Sequence, residues 1–406
     1  MRTYRAAWLL PIAGEPVDGG WIRVDGGRIV ETGGGAVAGA LDLGRVVLMP
    51  ALVNAHTHLE LSYLAGRVPA RERFSDWVRE VMRTRRQYPD PADPAIVAAA
   101  REAIAHARAT GTGLLGEVSN TLVTVPLLRQ AAQPAQVFHE LTGFTEEDPA
   151  ARVREARARA DAAAAGGGDL RVSVAPHAPY SVSAALFGAI RTDIDAHPNV
   201  VSSVHLGESP EEVELLRHAR GGLRAVLEEL GRWPADWEPP GTSPVGYLSD
   251  LGFLDACTLV VHGVQLDGED LARLRALGVT LVACPRSNVH VGVGPPPLEA
   301  FYAMDVDVAF GTDSLASVAD LDMLSELAAA RRIAPRVPAA RLLESATLIG
   351  ARALGFGREL GSIERGKRAA LITVPIPSGT NDVDEYLVSG VDAAGIGWLP
   401  ADGDLL

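Results

Sequence analysis

The pattern of apolar and polar positions changes character near Val46. Before it, short alternating runs are separated by glycines: in WIRVDGGRIVETGG, Asp25-Gly26-Gly27 lies between two period-two segments, which predicts a β-hairpin, and no helical spacing is visible up to residue 49. From Val46, VVLMPALVNAHTH is one continuous apolar run, as expected of a strand buried on both faces. Beyond it the two periods alternate. PAIVAAAREAIAHARAT, from Pro94 to Thr110, has helical spacing, with Asp93 as its cap and Gly111 as its stop. TGTGLLGEVSN reads as the next strand, followed by AQVFHELTGF, LRVSVAPHAPY, NVVSSVHLGES, CTLVVHGVQL, VTLVACPRSN and DVDVAFGTDS. Helical segments such as EEVELLRHAR and EDLARLRALG separate them.

About eight strand–helix units over roughly 300 residues predict an α/β protein built on a closed parallel (β/α)8 barrel of the TIM type. An open doubly wound sheet is the competing architecture, and no glycine-rich phosphate fingerprint follows an early strand. The tail from Gly355, with LGSIERGKRAALITVPI, again has β character. Three segments follow: 1–49 and 355–406, expected to pair into one small composite β-sandwich, and 50–354, expected to form the barrel.

Composition narrows the function. The chain has 406 residues, 47% of them apolar and 5% aromatic, enough for a large core of Ala, Val and Leu. Its 37 basic residues stand against 51 acidic ones, a formal charge of −14, which argues against nucleic-acid binding through phosphate neutralisation. The two cysteines, Cys257 and Cys284, match a reducing compartment. The N-terminal apolar run is broken by Pro11 and Gly14, too short for a secretory core, and no stretch approaches the roughly 18–20 apolar residues of a membrane span. A cytoplasmic protein is expected, with a small-molecule partner, no membrane partner, and homo-oligomerisation left open. Lys367 is the sole lysine.

Polar, metal-capable residues follow several of the predicted strands, where barrel enzymes place their chemistry. His56 and His58 share one side of an extended segment. His205 ends NVVSSV with Glu208 three residues later, His262 ends CTLVV, and Asp313 follows DVDVAFGT. Each alone is more commonly a hydrogen-bonded structural residue. Together His56, His58, His205 and Asp313 make three imidazoles and a carboxylate, a set suited to one borderline divalent ion such as zinc, with iron as the alternative.

The order HTH, HLGE, VHG and GTDS, framed by β-rich ends and a terminal LGSIERGKRAAL, resembles the amidohydrolase superfamily, in its cytosine deaminase, guanine deaminase and triazine hydrolase branch. The resemblance covers nearly the whole chain. It implies that His56, His58, His205 and Asp313 ligate the metal, that Glu208 shuttles protons, and that His262 and Asp313 help activate the water. The family tail usually has Ala-Asp where this chain has Ala369-Ala370, in a segment far from the metal. Some branches bridge two metals with a carboxylated lysine in the barrel; Lys367 lies in the terminal segment, so one metal is expected.

Further segments bear on the substrate. His177 in VSVAPHAPYSVS resembles a histidine that in adenosine-type deaminases contacts the ring away from the reacting carbon, which implies a purine contact here; a structural histidine behind the ligands is the alternative. FSDWVREVMRTR puts Phe74, Trp77, Val78 and Met82 on one helical face, and Trp77 is a candidate for stacking on a base or sugar. Arg286, with Ser287 and Asn288 beside it in ACPRSN, is a candidate partner for a substrate carboxylate, the alternative being a salt bridge at the barrel rim. Glu117 and Glu140 end strands and are candidates for ribose hydroxyls. NAHTHLELS, FSDWV, APHAPYSVS, CPRSN and GTDSLAS together resemble the 6-aminodeoxyfutalosine deaminase subgroup, which serves menaquinone biosynthesis. That implies hydrolytic release of ammonia from C6 of an adenine nucleoside carrying a carboxylate at its 5′ extension. S-adenosylhomocysteine, methylthioadenosine, adenosine and guanine are competing substrates, and a triazine-type hydrolase is the competing activity.

Overall fold

The computed structural model describes residues 1–197 and 200–399. Asn199, the first residue of one predicted strand, and residues 400–406 of the C-terminal segment lie outside them. Eight parallel strands form the centre: β1 (Leu52–Thr57), β2 (Thr112–Ser119), β3 (Ala135–Leu141), β4 (Leu170–Pro176), β5 (Ser202–Leu206), β6 (Thr258–His262), β7 (Thr280–Ala283) and β8 (Asp307–Phe310). They pair in chain order as two four-stranded halves, β1–β4 and β5–β8. Two seams close the ring. At one, the His205 amide donates to the His177 carbonyl (2.9 Å); at the other, the Asp313 amide donates to the His56 carbonyl (3.0 Å). The second seam is reinforced by Asn54, whose side chain bonds the Thr312 amide (3.1 Å) and hydroxyl (2.7 Å). Gly311 sits where a Cβ would come within 2.7–2.8 Å of His56, so only glycine lets β8 approach β1 this closely.

Why these sequences become barrel strands follows from burial. Each residue of β1, β2, β3, β5, β6 and β7 is buried, because helices cover the outside and side chains fill the inside. The helices carry their own start signals. Asp93 accepts the Ala95 amide (2.8 Å) at the start of helix Pro94–Ala109, with Pro94 in its first turn.

The apolar run VVLMPALVNAHTH is two strands rather than one. Val46–Pro50 belongs to a separate sheet and β1 starts at Leu52, so a single buried texture serves two different layers. Val46–Pro50 pairs antiparallel with Leu371–Pro375, which joins the two ends of the chain in one five-stranded sheet. The hairpin at Asp25 forms as expected, between Trp21–Asp25 and Arg28–Gly33, with Gly26 (φ 55°) and Gly27 (φ 72°) in the left-handed region that a two-residue loop requires. Tyr4, Leu9, Ile22, Ile29, Leu48 and Leu371 share one apolar cluster between these sheets. The C-terminal tail is less β-rich than its composition suggests: among the described residues it holds strands Leu371–Pro375 and Gly397–Trp398, and helix Val383–Val388 lies between them. Lys367 is in this end unit, its Nζ donating to Ser362 (2.7 Å) and pairing with Glu364 (3.0 Å). Among the described residues no helix is long and apolar enough to cross a membrane.

Candidate active site

The C-terminal ends of the barrel strands converge on a group of nitrogen and oxygen atoms. His56 and His58 leave β1, and their Nε2 atoms lie 3.2 Å apart. His205 at the end of β5 brings its Nε2 to 3.3 Å from that of His58. Asp313, just past β8, places Oδ1 at 3.6 Å from His58 Nε2 and 3.8 Å from His56 Nε2. Burial favours the neutral imidazoles, lowering His205 to about 4 and holding His56 and His58 well below the usual histidine range. His205 Nδ1 donates to the His177 carbonyl (3.0 Å), so its Nε2 presents a lone pair to the cluster. Unprotonated nitrogens held this close repel one another unless a positive charge lies among them. The donor chemistry therefore fits a borderline divalent cation, and it supports a metal site here.

Asp313 (φ 64°) and His262 (φ 77°) both adopt the left-handed conformation, which costs a non-glycine residue on the order of 1–3 kcal/mol. Both are also held from behind by one short helix, Pro285–His290, which follows β7. Ser287 donates to Asp313 Oδ2 (2.6 Å), Ser317 donates to the same oxygen (3.1 Å), and the Ser314 amide donates to Oδ1 (2.8 Å). Asn288 Nδ2 lies 3.0 Å from His262 Nδ1, leaving the His262 Nε2 face toward Glu208 Oε1 at 3.6 Å. Ser287 and Asn288 thus touch site residues and do not line the cavity. Replacing Asn288 with alanine is expected to lower kcat by roughly 10–100-fold at unchanged metal content, because the His262 ring loses its anchor; unchanged kcat in the N288A enzyme contradicts this.

Glu208 is buried beside these groups. Burial, with Asp313 and Glu212 as like-charged neighbours, raises its carboxyl well above the usual carboxylate range. Its backbone is fixed by the next helix, Pro210–His218. Ser209 caps that helix, and Glu212 in its first turn reaches back to accept the amides of Gly207 (3.1 Å) and Glu208 (3.0 Å).

A cavity of about 280 Å³ opens over this cluster, lined by His58, His205, Glu208, His262 and Asp313. His177, Trp77 and Glu140 also line it, as the sequence led one to expect of substrate contacts. His177 Nδ1 is bonded to Ser181 (2.6 Å), and Glu140 lies 3.5 Å from His205 Nδ1 and accepts from Asn120 Nδ2 (2.8 Å). Besides Ser287 and Asn288, two further expected contacts, Glu117 and Arg286, are not among the cavity-lining residues. Glu117 is fully buried and accepts the Leu59 amide (2.8 Å), fixing the turn after β1. Arg286 points the other way from its neighbours: its guanidinium pairs with Glu326 (2.5 Å) and Asp320 (2.7 Å) in a salt bridge at the barrel rim, and it does not line this cavity.

The cavity walls hold residues that sequence reasoning passed over. Helix Phe74–Arg85 contributes Val81 and Arg85, both on the stripe of Phe74, Trp77, Val78 and Met82 when it is extended by one more turn. Opposite it, helix Gly222–Glu229 and the residue after it supply Leu223, Val226, Leu227 and Leu230, a three-four spacing that was legible and overlooked. Asn120, Thr142, Tyr180, Ser181, Arg232 and Ser314 are further polar wall residues, with no periodic signal.

A model of the amidohydrolase family matches residues 47–391. The chain is 31% identical over 326 residues to the aminodeoxyfutalosine deaminase of Deinococcus radiodurans, an overlap covering 76% of this chain and 73% of that one. It is 28% identical over 426 residues to the 5-methylthioadenosine/S-adenosylhomocysteine deaminase of Moorella thermoacetica, covering 98% and 92% respectively. Among solved structures, a zinc-bound adenosine deaminase from Xanthomonas campestris superposes with a TM-score of 0.81 at 28% identity, over 97% of this chain and 90% of that one. With its parallel barrel and strand-end histidines, the chain belongs to the amidohydrolase family and is a hydrolase that acts on carbon–nitrogen bonds.

Proposed function

We propose that this hydrolase deaminates an adenine nucleoside, with 6-aminodeoxyfutalosine of menaquinone biosynthesis as its substrate. The observation that carries the reading is the convergence of three Nε2 atoms and Asp313 Oδ1 beside the Glu208–His262 pair, at the base of a cavity with an apolar wall. His56, His58, His205 and Asp313 hold one divalent cation, zinc, with iron as the alternative. When bound, that cation lowers the pKa of a water toward about 7 and supplies a nucleophile at neutral pH.

The chain's own groups do the rest. Glu208 carries a proton from the attacking water to the ring nitrogen next to C6, then delivers one to the departing amino group, so the products are the 6-oxo nucleoside and ammonia. Its raised carboxyl suits both steps. His262, anchored by Asn288, orients the nucleophile, and Ser287 and Ser317 keep Asp313 turned toward it. Trp77 offers a face for stacking, His177 meets the purine edge, and Glu140 is placed for ribose hydroxyls. The same reading divides the chain into a barrel, 50–354, and a composite β-sandwich from 1–49 and 355–406. The antiparallel register from Val46↔Pro375 to Pro50↔Leu371 and the cluster around Ile22 support that division.

Deamination of methylthioadenosine or S-adenosylhomocysteine is a second reading, supported by the Moorella relative that matches nearly the whole chain. A screen of metal-loaded protein that reads ammonia release with 6-aminodeoxyfutalosine, methylthioadenosine, S-adenosylhomocysteine, adenosine and guanine, and chloride release with a chlorotriazine, separates these. The highest kcat/KM is expected with 6-aminodeoxyfutalosine; turnover of the triazine alone would overturn the deaminase reading.

A further inference from the structure

His262 and Asp313, the two site residues with left-handed backbones, are oriented by Asn288 and Ser287. Both of those groups come from helix Pro285–His290, which has only six residues. A helix this short is not stable by itself and must be held from outside. Its own start offers little: Cys284 at the N-cap makes no side-chain bond, and Pro285 has no N–H to donate. The first free amide, that of Arg286, donates to Glu326 Oε2 (3.3 Å), while Arg286 Nε donates to Glu326 Oε1 (2.5 Å).

Glu326 sits fully buried on helix Met323–Ile333, and among the described residues both of its carboxylate oxygens bond to Arg286 alone. Replacing a buried ion pair by apolar side chains is often neutral or stabilising, so stability does not account for one. The contacts of Arg286 show what this pair joins. Its Nη1 donates to Asp320 Oδ1 (2.7 Å), and its Nη2 to the carbonyls of Asp320 (3.0 Å) and Asp322 (3.3 Å). Those carbonyls end the loop that begins at Asp313 and carries Ser314 and Ser317, which also bond the Asp313 carboxylate. One guanidinium, gripped by Glu326, therefore fixes the helix after β7 to the loop after β8. Neither Arg286 nor Glu326 lines the active-site cavity.

We propose that Glu326 is a positioning residue for the hydrolysis: acting through Arg286, it sets the placement of Ser287 and Asn288 and thereby orients Asp313 and His262 together. This rests on the reading that gives Asp313 and His262 their roles in the reaction. Two strained backbones persist only where their surroundings over-determine them, and here the surroundings of both converge on one buried carboxylate. A guanidinium suits the junction because its planar fork of donors meets the Glu326 carboxylate, the Asp320 carboxylate and two carbonyls at once.

The test reads zinc affinity by chelator competition, thermal melting, and ammonia release from 6-aminodeoxyfutalosine and methylthioadenosine, all on the full chain. Glu326→Gln is nearly isosteric, yet it leaves one acceptor oxygen where two are used, and no charge. It is expected to weaken zinc binding by roughly 10–100-fold and to lower kcat at saturating zinc by a similar factor, with KM within about twofold. A double-mutant cycle separates positioning from a purely structural role. In a Ser287→Ala/Asn288→Ala background, Glu326→Gln should cost less than about twofold further in kcat and zinc affinity, because the groups it acts through are gone, whereas independent effects multiply. Arg286→Met/Glu326→Met replaces the pair with apolar side chains; it should melt close to wild type while its kcat falls as in E326Q. Wild-type zinc affinity and kcat in E326Q, full multiplication in the triple variant, or wild-type kcat in folded R286M/E326M each overturns the role of Glu326. Wild-type kcat and zinc affinity in S287A/N288A overturns the roles of Asp313 and His262 on which it rests. If neither nucleoside releases ammonia, the deaminase reading fails instead, and the zinc-affinity cycle decides the role of Glu326 by the same criterion.

Discussion

Glu208→Gln is expected to keep its full complement of divalent cation while kcat falls by about 10³-fold or more. The substitution changes one atom of a buried side chain and leaves the ligand set of His56, His58, His205 and Asp313 untouched. Backbone anchors also survive, because Glu212 holds the Gly207 and Glu208 amides rather than the Glu208 side chain. What is lost is the ability to take up and release a proton. General acid–base groups contribute typically 10²–10⁴-fold, and here one carboxyl serves two transfers in sequence, so the upper part of that range applies. Burial sharpens the effect: Glu208 is buried, and among the described residues it is the carboxylate paired with His262 Nε2, at 3.6 Å. The measurement pairs metal analysis with steady-state ammonia release. A glutamine enzyme with wild-type kcat would remove Glu208 from the mechanism, whereas loss of the metal along with activity would show that the side chain acts on the ligands.

Much of this site was legible in the sequence because a buried strand is an apolar run and its functional residues come directly after it. His56, His58, His205, His262 and Asp313 each close or follow such a run, and each reaches the cluster. Arg286 failed for a reason of the same kind. The segment after β7 is a helix, where successive residues turn by about 100°. Ser287 and Asn288 therefore face Asp313 and His262 while Arg286 faces Glu326 and Asp320. Linear adjacency placed all three together, and helical rotation separates them. The break at Ala51 was hidden for a different reason: Val46–Pro50 and β1 are both buried, so no polar residue marks where the chain leaves one sheet for the next.

The two seams of the barrel end at site residues. The β1–β8 seam is closed by the His56 carbonyl and the Asp313 amide, and the β4–β5 seam by the His177 carbonyl and the His205 amide. His56 and His58 belong to one half of the ring, His205 and Asp313 to the other. A cation bound by all four therefore ties the halves together across both closures, and its affinity is coupled to the stability of the barrel.

Removal of the cation, by chelation or by His58→Ala, is consequently expected to do two things together. Ammonia release should be abolished, and restored by zinc only in the chelated wild type, because His58 is the group nearest to the other three: its Nε2 is within 3.2–3.6 Å of His56, His205 and Asp313. The melting temperature should also fall. A ligand present at about 1,000 times its Kd stabilises the folded state by about 4 kcal/mol. At roughly 1–2 °C per kcal/mol for a chain of this length, a drop of at least about 4 °C follows. Differential scanning calorimetry of wild-type and H58A protein, each with and without chelator, provides the comparison. H58A should melt at the temperature of the chelated wild type and show no response to chelator. If the chelated wild type melts unchanged yet is inactive, the cation serves chemistry alone and the coupling across the seams is wrong.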